Sequence, residues 1–472
     1  MNKEVFIEHF TKEVMEDNAA IFAGAGLSIP AGFVDWSSLL EPMAKEIGLD
    51  ISKETDLVGL SQYYCNENQG NRNSINQIIL NGFSKKVEVT ENHKILSRLP
   101  IKTYWTTNYD RLIENALERE NKVADVKYTV NHLSTTKVKR DAVVYKMHGD
   151  VEHPSDAILI KDDYESYFRK MEPYITALSG DLVSKTFLFI GFSFTDPNLD
   201  YILSRVRGTY KQDQRRHYCL IKKVERKQDE LDADFEYRAR KQVLFINDLS
   251  RFNIKAVLLD SYDEITEILY CIEKNIKRKN VFLSGSAVEY NNLDKNQGEY
   301  FIHKLSKELI KNDFNIVSGF GWGVGSCVIS GALEELYMNQ GTIDDERLIL
   351  RPFPQGEKGK VQWEKYRKDM IARTGISIFI YGNKEEAGKL VRAGGVQSEF
   401  NISRQQNNHL VPVGATGYVA KELWDEVNKN FDRYYPNADN KLKEMFKELN
   451  DEKLTIDELI VKILDFVKII SN

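Results

Sequence analysis

Four cysteines in 472 residues, Cys65, Cys219, Cys271 and Cys327, are too few and too scattered for a disulfide framework, and none stands in a C-x-x-C pair that could hold zinc. They are read as reduced packing residues, and no metal is expected. Positive charge is also short. The formal net charge is -6, and the Lys/Arg run from Lys277 to Lys279 is brief enough to be a solvated linker. Without a basic stripe, nucleic acid is not expected as a partner. No apolar run approaches the length of a membrane span, and the amino terminus, with Glu4 and Glu8 in an amphipathic pattern, lacks a signal peptide's apolar core. A cytoplasmic chain without membrane contact is expected.

The length exceeds one compact core and suggests two or three domains. Two blocks each begin with an apolar strand running into glycine: "AAIFAGAG" at Ala19 to Gly26 and "VFLSGSA" at Val281 to Ala287. The first continues with β-type runs at "TYWTTNYD", "AVVYKMHGD", "TFLFIGFSF", "HYCLIK" and "IKAVLLD". The second continues with "NIVSGFG", "LILRPFP", "SIFIYGN" and "LVPVGAT". Helical patterns separate most of them, as a parallel sheet with crossover helices requires. The fold class is α/β with two Rossmann-like domains, expected at 1–277 and 278–472, with the boundary near "KNIKRKN", Lys274 to Asn280. At the far end, Thr455 and Glu458 have capping-box spacing ahead of an apolar stripe of Ile456, Leu459, Ile460, Ile463, Leu464 and Val467. A docking helix is expected there.

The stretch "IFAGAGLSIPAGFVDW", Ile21 to Trp36, raises the question of a ligand. A glycine turn between a buried strand and a helix leaves backbone N–H groups without side chains in the way, which suits phosphate oxygens. Gly24, Ala25 and Gly26 meet that requirement, yet tight turns need glycine for steric reasons too, so both readings stand at this point. The stretch lacks G-x-x-x-x-G-K-[ST] and is not a P-loop. Ligands of open α/β sheets bind beyond the carboxyl ends of the strands, and there the chain carries "TTNYD", "KMHGD" and "GFSFTDPNL".

The ordered set GAGLS, G-F-V-D-W at Gly32 to Trp36, T-N-Y-D, H-G and G-F-S resembles the NAD-binding motifs of the sirtuin family over roughly the first 275 residues. "LIKDDY" and "GFSFTDPNL" resemble its bacterial branch. The resemblance implies NAD+ as substrate, with Gly24, Ala25, Gly26 and Ser28 facing the diphosphate, Asp35 near the nicotinamide ribose, and Gly191 and Ser193 along the adenosine side. Nicotinamide leaves as a neutral group through an oxocarbenium-like transition state, so the site must orient a ribose and a weak nucleophile. Asn108 can hold water, Asp110 the carboxamide of the leaving group, and His148 can accept a proton. Read singly, the same three residues fit a turn former, a helix cap and a packing histidine. A deacylase of this family carries four zinc-binding cysteines and an Arg after the D-F pair, whereas this chain has neither and continues as Ser37. Water becomes the natural acceptor, giving nicotinamide and ADP-ribose.

The second block resembles the SLOG group of nucleotide-binding domains through "FLSGSA", "VSGFGWGVGS" and "GVQSEFNIS". The cleaving relatives carry P-G-G-x-G-T-x-x-E, of which only Glu399 clearly persists, so a ligand sensor is expected. Candidate turns are Gly285 and Ser286 with Gly319, Gly321 and Gly323. Arg367 and Lys384 are the candidate charges, and Glu399 the ribose acceptor. Taken together, the two blocks resemble the sirtuin–SLOG effectors of Thoeris anti-phage defence. That implies activation by a cyclic ADP-ribose isomer made by a TIR-domain partner, and a homotetramer able to stack further. Two other classes remain: a deacylase or ADP-ribosyltransferase, and a non-catalytic nucleotide sensor.

Overall fold

Strand β1, Ala19–Ala23, is buried at all five positions, as a strand must be when it has neighbours on both edges and helices over both faces. The computed structural model, which describes residues 1–211, 213–340, 347–354, 356–436 and 438–471, supplies both. The chain divides into two compact units, Met1–Glu273 and Lys274–Asn472.

In the first unit β1 joins β2 (Thr103–Thr106), β3 (Ala124–Lys127), β4 (Ala142–Lys146), β5 (Thr186–Ile190), β6 (His217–Lys222) and β7 (Ile254–Leu259). They form one parallel sheet in the order β3-β4-β2-β1-β5-β6-β7. The chain enters at the centre, builds outward on one side, then crosses β1 to build the other. The crevice between β1 and β5 is therefore the point where strand order reverses, the usual ligand position in such sheets. Helices cover the faces, and one core gathers Phe22, Trp105, Tyr167, Tyr174, Phe187 and Phe189.

Strand β3 escapes an apolar-run reading because two of its four residues are charged. Asp125 and Lys127 are both buried at the sheet edge and pair at 2.9 Å.

The second unit holds β8 (Asn280–Ser286), β9 (Asn315–Ser318), β10 (Leu348–Leu350), β11 (Ile376–Tyr381) and β14 (His409–Pro412), a parallel sheet ordered β10-β9-β8-β11-β14. Between β11 and β14 lies an antiparallel hairpin, β12 (Asn383–Glu386) and β13 (Lys389–Arg392), whose charged sequence likewise hides it from a hydrophobicity pattern. The last helix, Ile456–Ser471, begins as its capping box dictates. Glu458 Oε2 accepts from the Thr455 N–H at 2.9 Å, and Thr455 Oγ1 accepts from the Glu458 N–H at 3.3 Å. Leu459, Ile460, Ile463, Leu464 and Val467 are buried in the core of this unit, and Ile456 packs at its margin.

Two expectations need correction. The cationic run is not a linker: Lys277 and Arg278 end the helix Glu264–Arg278, and Lys279 leads directly into β8. Cys271 is exposed on that helix rather than packed, whereas Cys65 and Cys219 are buried. Among the described residues no helix is long and apolar enough to cross a membrane.

Candidate functional site

The glycine turn after β1 is shaped by its neighbour at the end of β5. Gly24 N–H donates to Ile190 O and Gly26 N–H to Gly191 O, both at 2.9 Å. A Cβ on Gly24 would lie 2.5 Å from Gly191 O, and one on Gly26 would lie 2.8 Å from Gly191 Cα. Gly191 itself has φ of 64°, where a side chain is strained. The steric reason for these glycines is thus real. It also limits their use as donors: the N–H of Ser28 bonds Ala25 O at 2.9 Å, so three of the four amides from Gly24 to Ser28 named for the diphosphate are already engaged. Ala25, first residue of a short 3-10 turn, is exposed.

Asn108, at the end of β2, is tied to this turn. Its amide Nδ2 donates to Gly24 O and to Ser28 Oγ, each at 3.1 Å, while its N–H bonds Thr106 Oγ1 at 3.0 Å. With both amide hydrogens engaged, Oδ1 is left as an oriented acceptor. Asp110 is buried and accepts from the Leu112 N–H at 3.0 Å, at the start of the helix Leu112–Arg119. Its second oxygen, Oδ2, is buried without a hydrogen-bond partner.

Beneath that segment lies a charge cluster that the apolar-run reading missed. Lys146, the last residue of β4, is fully buried, with Nζ on the carbonyls of Tyr109 at 3.1 Å and Asp110 at 2.5 Å. It pairs with Asp150 at 2.6 Å and Glu114 at 3.2 Å. Burial pulls the ammonium down, but Glu114, Asp150 and Asp110 outweigh it and leave its pKa raised. Burial likewise raises the Glu114 carboxyl.

His148, just past β4, is fully buried, with Nε2 3.0 Å from Asp196 Oδ2. Its ring meets Trp36 and Tyr164 edge-on, at centroid separations of 6.4 and 5.6 Å. Burial pushes the Asp196 carboxyl up, yet His148 and the Leu199 and Asn198 N–H groups hold it below the usual range. Asp196 caps the helix Pro197–Tyr210, accepting from the Leu199 N–H at 2.9 Å. The Asp-Pro pair in "GFSFTDPNL" is the sequence signal that could have singled it out, since Asp at the cap with Pro at the first helical position is a helix start. Asp35 is exposed and caps the helix Trp36–Glu46, where hydrogen bonds from Ser38 hold its carboxyl below the usual range. It borders the site through Trp36. Ser193 is exposed and shares a 2.7 Å hydrogen bond with Thr195.

The second unit builds a separate constellation. Arg367, on the helix Trp363–Ile371, places Nε 3.2 Å from Glu399 Oε1 and stacks over Phe353 at 4.8 Å. Ser284, in β8, donates to Glu399 Oε2 at 2.6 Å. Burial raises the Glu399 carboxyl against the lowering by Ser284 and Arg367. Glu399 therefore arrives with both oxygens engaged; as a ribose acceptor it would share or exchange these bonds. The glycines assemble around β8: Gly285 abuts Ile380, a Cβ at Gly321 or Gly323 would strike the carbonyls of Gly285 and Ala287, and Gly319 faces Phe353. Ser286 donates to Asn383 O at 2.9 Å. Lys384 stands apart on β12, half-exposed and paired with Glu386 at 3.2 Å.

Comparison with known proteins agrees with this two-part construction. A family model for a SIR2-like domain matches residues 102–244, and one for the Sir2- and TIR-associating SLOG family matches residues 264–470. A protein of Bacillus cereus (strain MSX-D12), named NAD(+) hydrolase ThsA, is 74% identical over 469 residues, covering 99% of this chain and 98% of its own. Proteins of the same name from Acinetobacter baumannii (strain 532279) and Cytobacillus dafuensis are 50% and 48% identical, each over 99% of this chain and over 99% and 96% of their own.

Proposed function

The chain belongs to the ThsA family of NAD(+) hydrolases, and on that premise we propose that the crevice beyond β1, β2, β4 and β5 is where it cleaves NAD+, in a catalytic domain spanning 1–277. The observation that carries this reading is the convergence of Asn108, His148 and the Gly24–Ser28 turn at one end of one sheet. Asn108 Oδ1 orients the attacking water, whose oxygen bonds the ribose C1′ as the bond to nicotinamide breaks. Nicotinamide departs neutral with the bond's electron pair. The water proton passes to His148, and ADP-ribose is released. The Ala25 N–H contacts the diphosphate, Gly26 and Ser28 shape the turn, and Asp110, with its unpartnered Oδ2, receives the carboxamide. Asp35 borders the nicotinamide ribose, while Gly191 and Ser193 flank the adenosine. Incubating the purified chain with NAD+ and resolving products by chromatography tests it: nicotinamide and ADP-ribose are expected, and an untouched NAD+ pool under every activating condition would defeat it.

The domain at 278–472 is proposed to sense a cyclic ADP-ribose isomer supplied by a TIR-domain partner and so to trigger NAD+ depletion in Thoeris defence. Arg367 is oriented in advance by Glu399 and Phe353, as a residue that grips a diphosphate should be. Activation requires the effector to bind the active arrangement more tightly than the resting one. Arg367→Ala is expected to weaken binding of cyclic ADP-ribose isomers about tenfold or more in calorimetry, since a charged hydrogen bond contributes roughly 1.5–3 kcal/mol. Effector-independent cleavage should stay near wild type. Unchanged affinity in both Arg367→Ala and Lys384→Ala would misplace the pocket.

We also propose a cytoplasmic homotetramer, because a closed symmetric assembly lets a ligand on one domain bias the site of another through an interface. Light scattering of the free chain at micromolar concentration should return about four times the 54.5 kDa chain mass. A monomer there would contradict it.

A further inference from the structure

His148 is a fully buried titratable side chain in the crevice, close to an opposite charge held by a different strand end. Its Nε2 faces Asp196 Oδ2 at 3.0 Å, and its Nδ1 is buried with no hydrogen-bond partner among the described residues. A purely structural imidazole would have both nitrogens satisfied. Here neither nitrogen makes a hydrogen bond among the described residues: Nε2 lies against a carboxylate, and Nδ1 has no partner.

The carboxylate is held in place. Asp196 Oδ1 accepts from the Leu199 N–H, and Pro197 sets the first helical residue, so Oδ2 is left aimed at the imidazole. The ring is confined by Trp36 and Tyr164 at interplanar angles of 78° and 81°. Its own carbonyl accepts from the Ile158 N–H at 3.0 Å. At this distance the Nε2 contact is out of hydrogen-bond alignment in the free protein, and such catalytic contacts often tighten only when substrate binds.

We propose that Asp196 is the positioning residue for His148: its carboxylate accepts a hydrogen bond from Nε2–H, which leaves Nδ1 as the bare nitrogen that receives the proton of the attacking water. The inference rests on His148 being the base. As the water oxygen bonds C1′ and the C1′–N bond breaks, Nδ1 gains the proton, and Asp196 stabilises the imidazolium that results. The proton then leaves to solvent, so NAD+ and water become nicotinamide, ADP-ribose and one proton. The other titratable groups whose charge reaches Asp196 are the phenols of Tyr109, Tyr164 and Tyr167, which burial keeps neutral through the working range.

Asp196→Asn in the full chain separates this role from a structural one, because Asn caps a helix as well as Asp does. It turns a charged acceptor into an amide that can donate to Nε2, which forces the proton onto Nδ1. The variant should keep KM for NAD+ within about threefold and lose kcat by about 100-fold or more, as for a misdirected base. In 15N-histidine-labelled protein the His148 signals should move from the Nε2–H to the Nδ1–H tautomer, a readout independent of turnover. Asp196→Glu should restore part of kcat. If His148→Ala is inactive while Asp196→Asn keeps wild-type kcat and tautomer, Asp196 does not position His148. If His148→Ala still cleaves NAD+, the base assignment itself falls, and this inference with it.

Discussion

Alanine at Asn108 or at His148 is expected to reduce NAD+ cleavage by about 100-fold or more, the range typical of losing a positioned acid–base or orienting group. The two residues fail for different reasons. Asn108→Ala removes the oriented Oδ1 and leaves Gly24 O and Ser28 Oγ without their donor, so the nucleophile is no longer aligned. His148→Ala removes the proton acceptor and strands Asp196 opposite an apolar methyl. Folding should persist in both, because neither side chain belongs to the hydrophobic clusters that hold the sheet. Nicotinamide release, measured beside circular dichroism and calorimetry, checks the pair. Folded variants of both that cleave at the wild-type rate would remove these residues from the mechanism.

Lys146→Met should have the largest effect on stability. The ammonium is the only cation in contact with Glu114 and Asp150 at this point of the sheet among the described ion pairs, and it also ties down the carbonyls of Tyr109 and Asp110. Removing one partner from a buried charge group typically costs about 3–5 kcal/mol, because the remaining charge is uncompensated. For a unit of this size that lowers the melting midpoint by about 10 °C. Adding Asp150→Asn should recover part of the loss, since it removes one uncompensated carboxylate. The folded-state pKa of Lys146 is raised, so its contribution is complete below the ordinary lysine pKa and is lost only as pH climbs through the raised value. A calorimetric scan at neutral pH thus reads the full effect. A midpoint within about 2 °C of wild type would show that the cluster does not stabilise the sheet.

What the chain determined by itself was whatever depends on neighbours in sequence. Continuous apolar runs ending in glycine marked β1 and β8, the capping pair Thr455 and Glu458 marked the last helix, and the strand-end motifs placed Asn108 and His148 just past the carboxyl ends of β2 and β4. Strand β3 and the β12–β13 hairpin stayed hidden because their charges are balanced by partners, Asp125 with Lys127 and Lys384 with Glu386, rather than by an apolar pattern. The tertiary structure alone decided which polar groups meet. Asp196 faces His148 because the crossover from β4 to β5 brings distant segments to the same carboxyl end of the sheet. Lys146 is buried among Glu114, Asp150 and the Tyr109–Asp110 carbonyls because β4 packs beside β2. Glu399 is already held by Ser284 and Arg367 because β8 lies at the centre of its sheet. Hydropathy and capping act over a few residues and can be read along the chain, whereas the pairing of buried charges follows strand order, which arises only when the sheet closes.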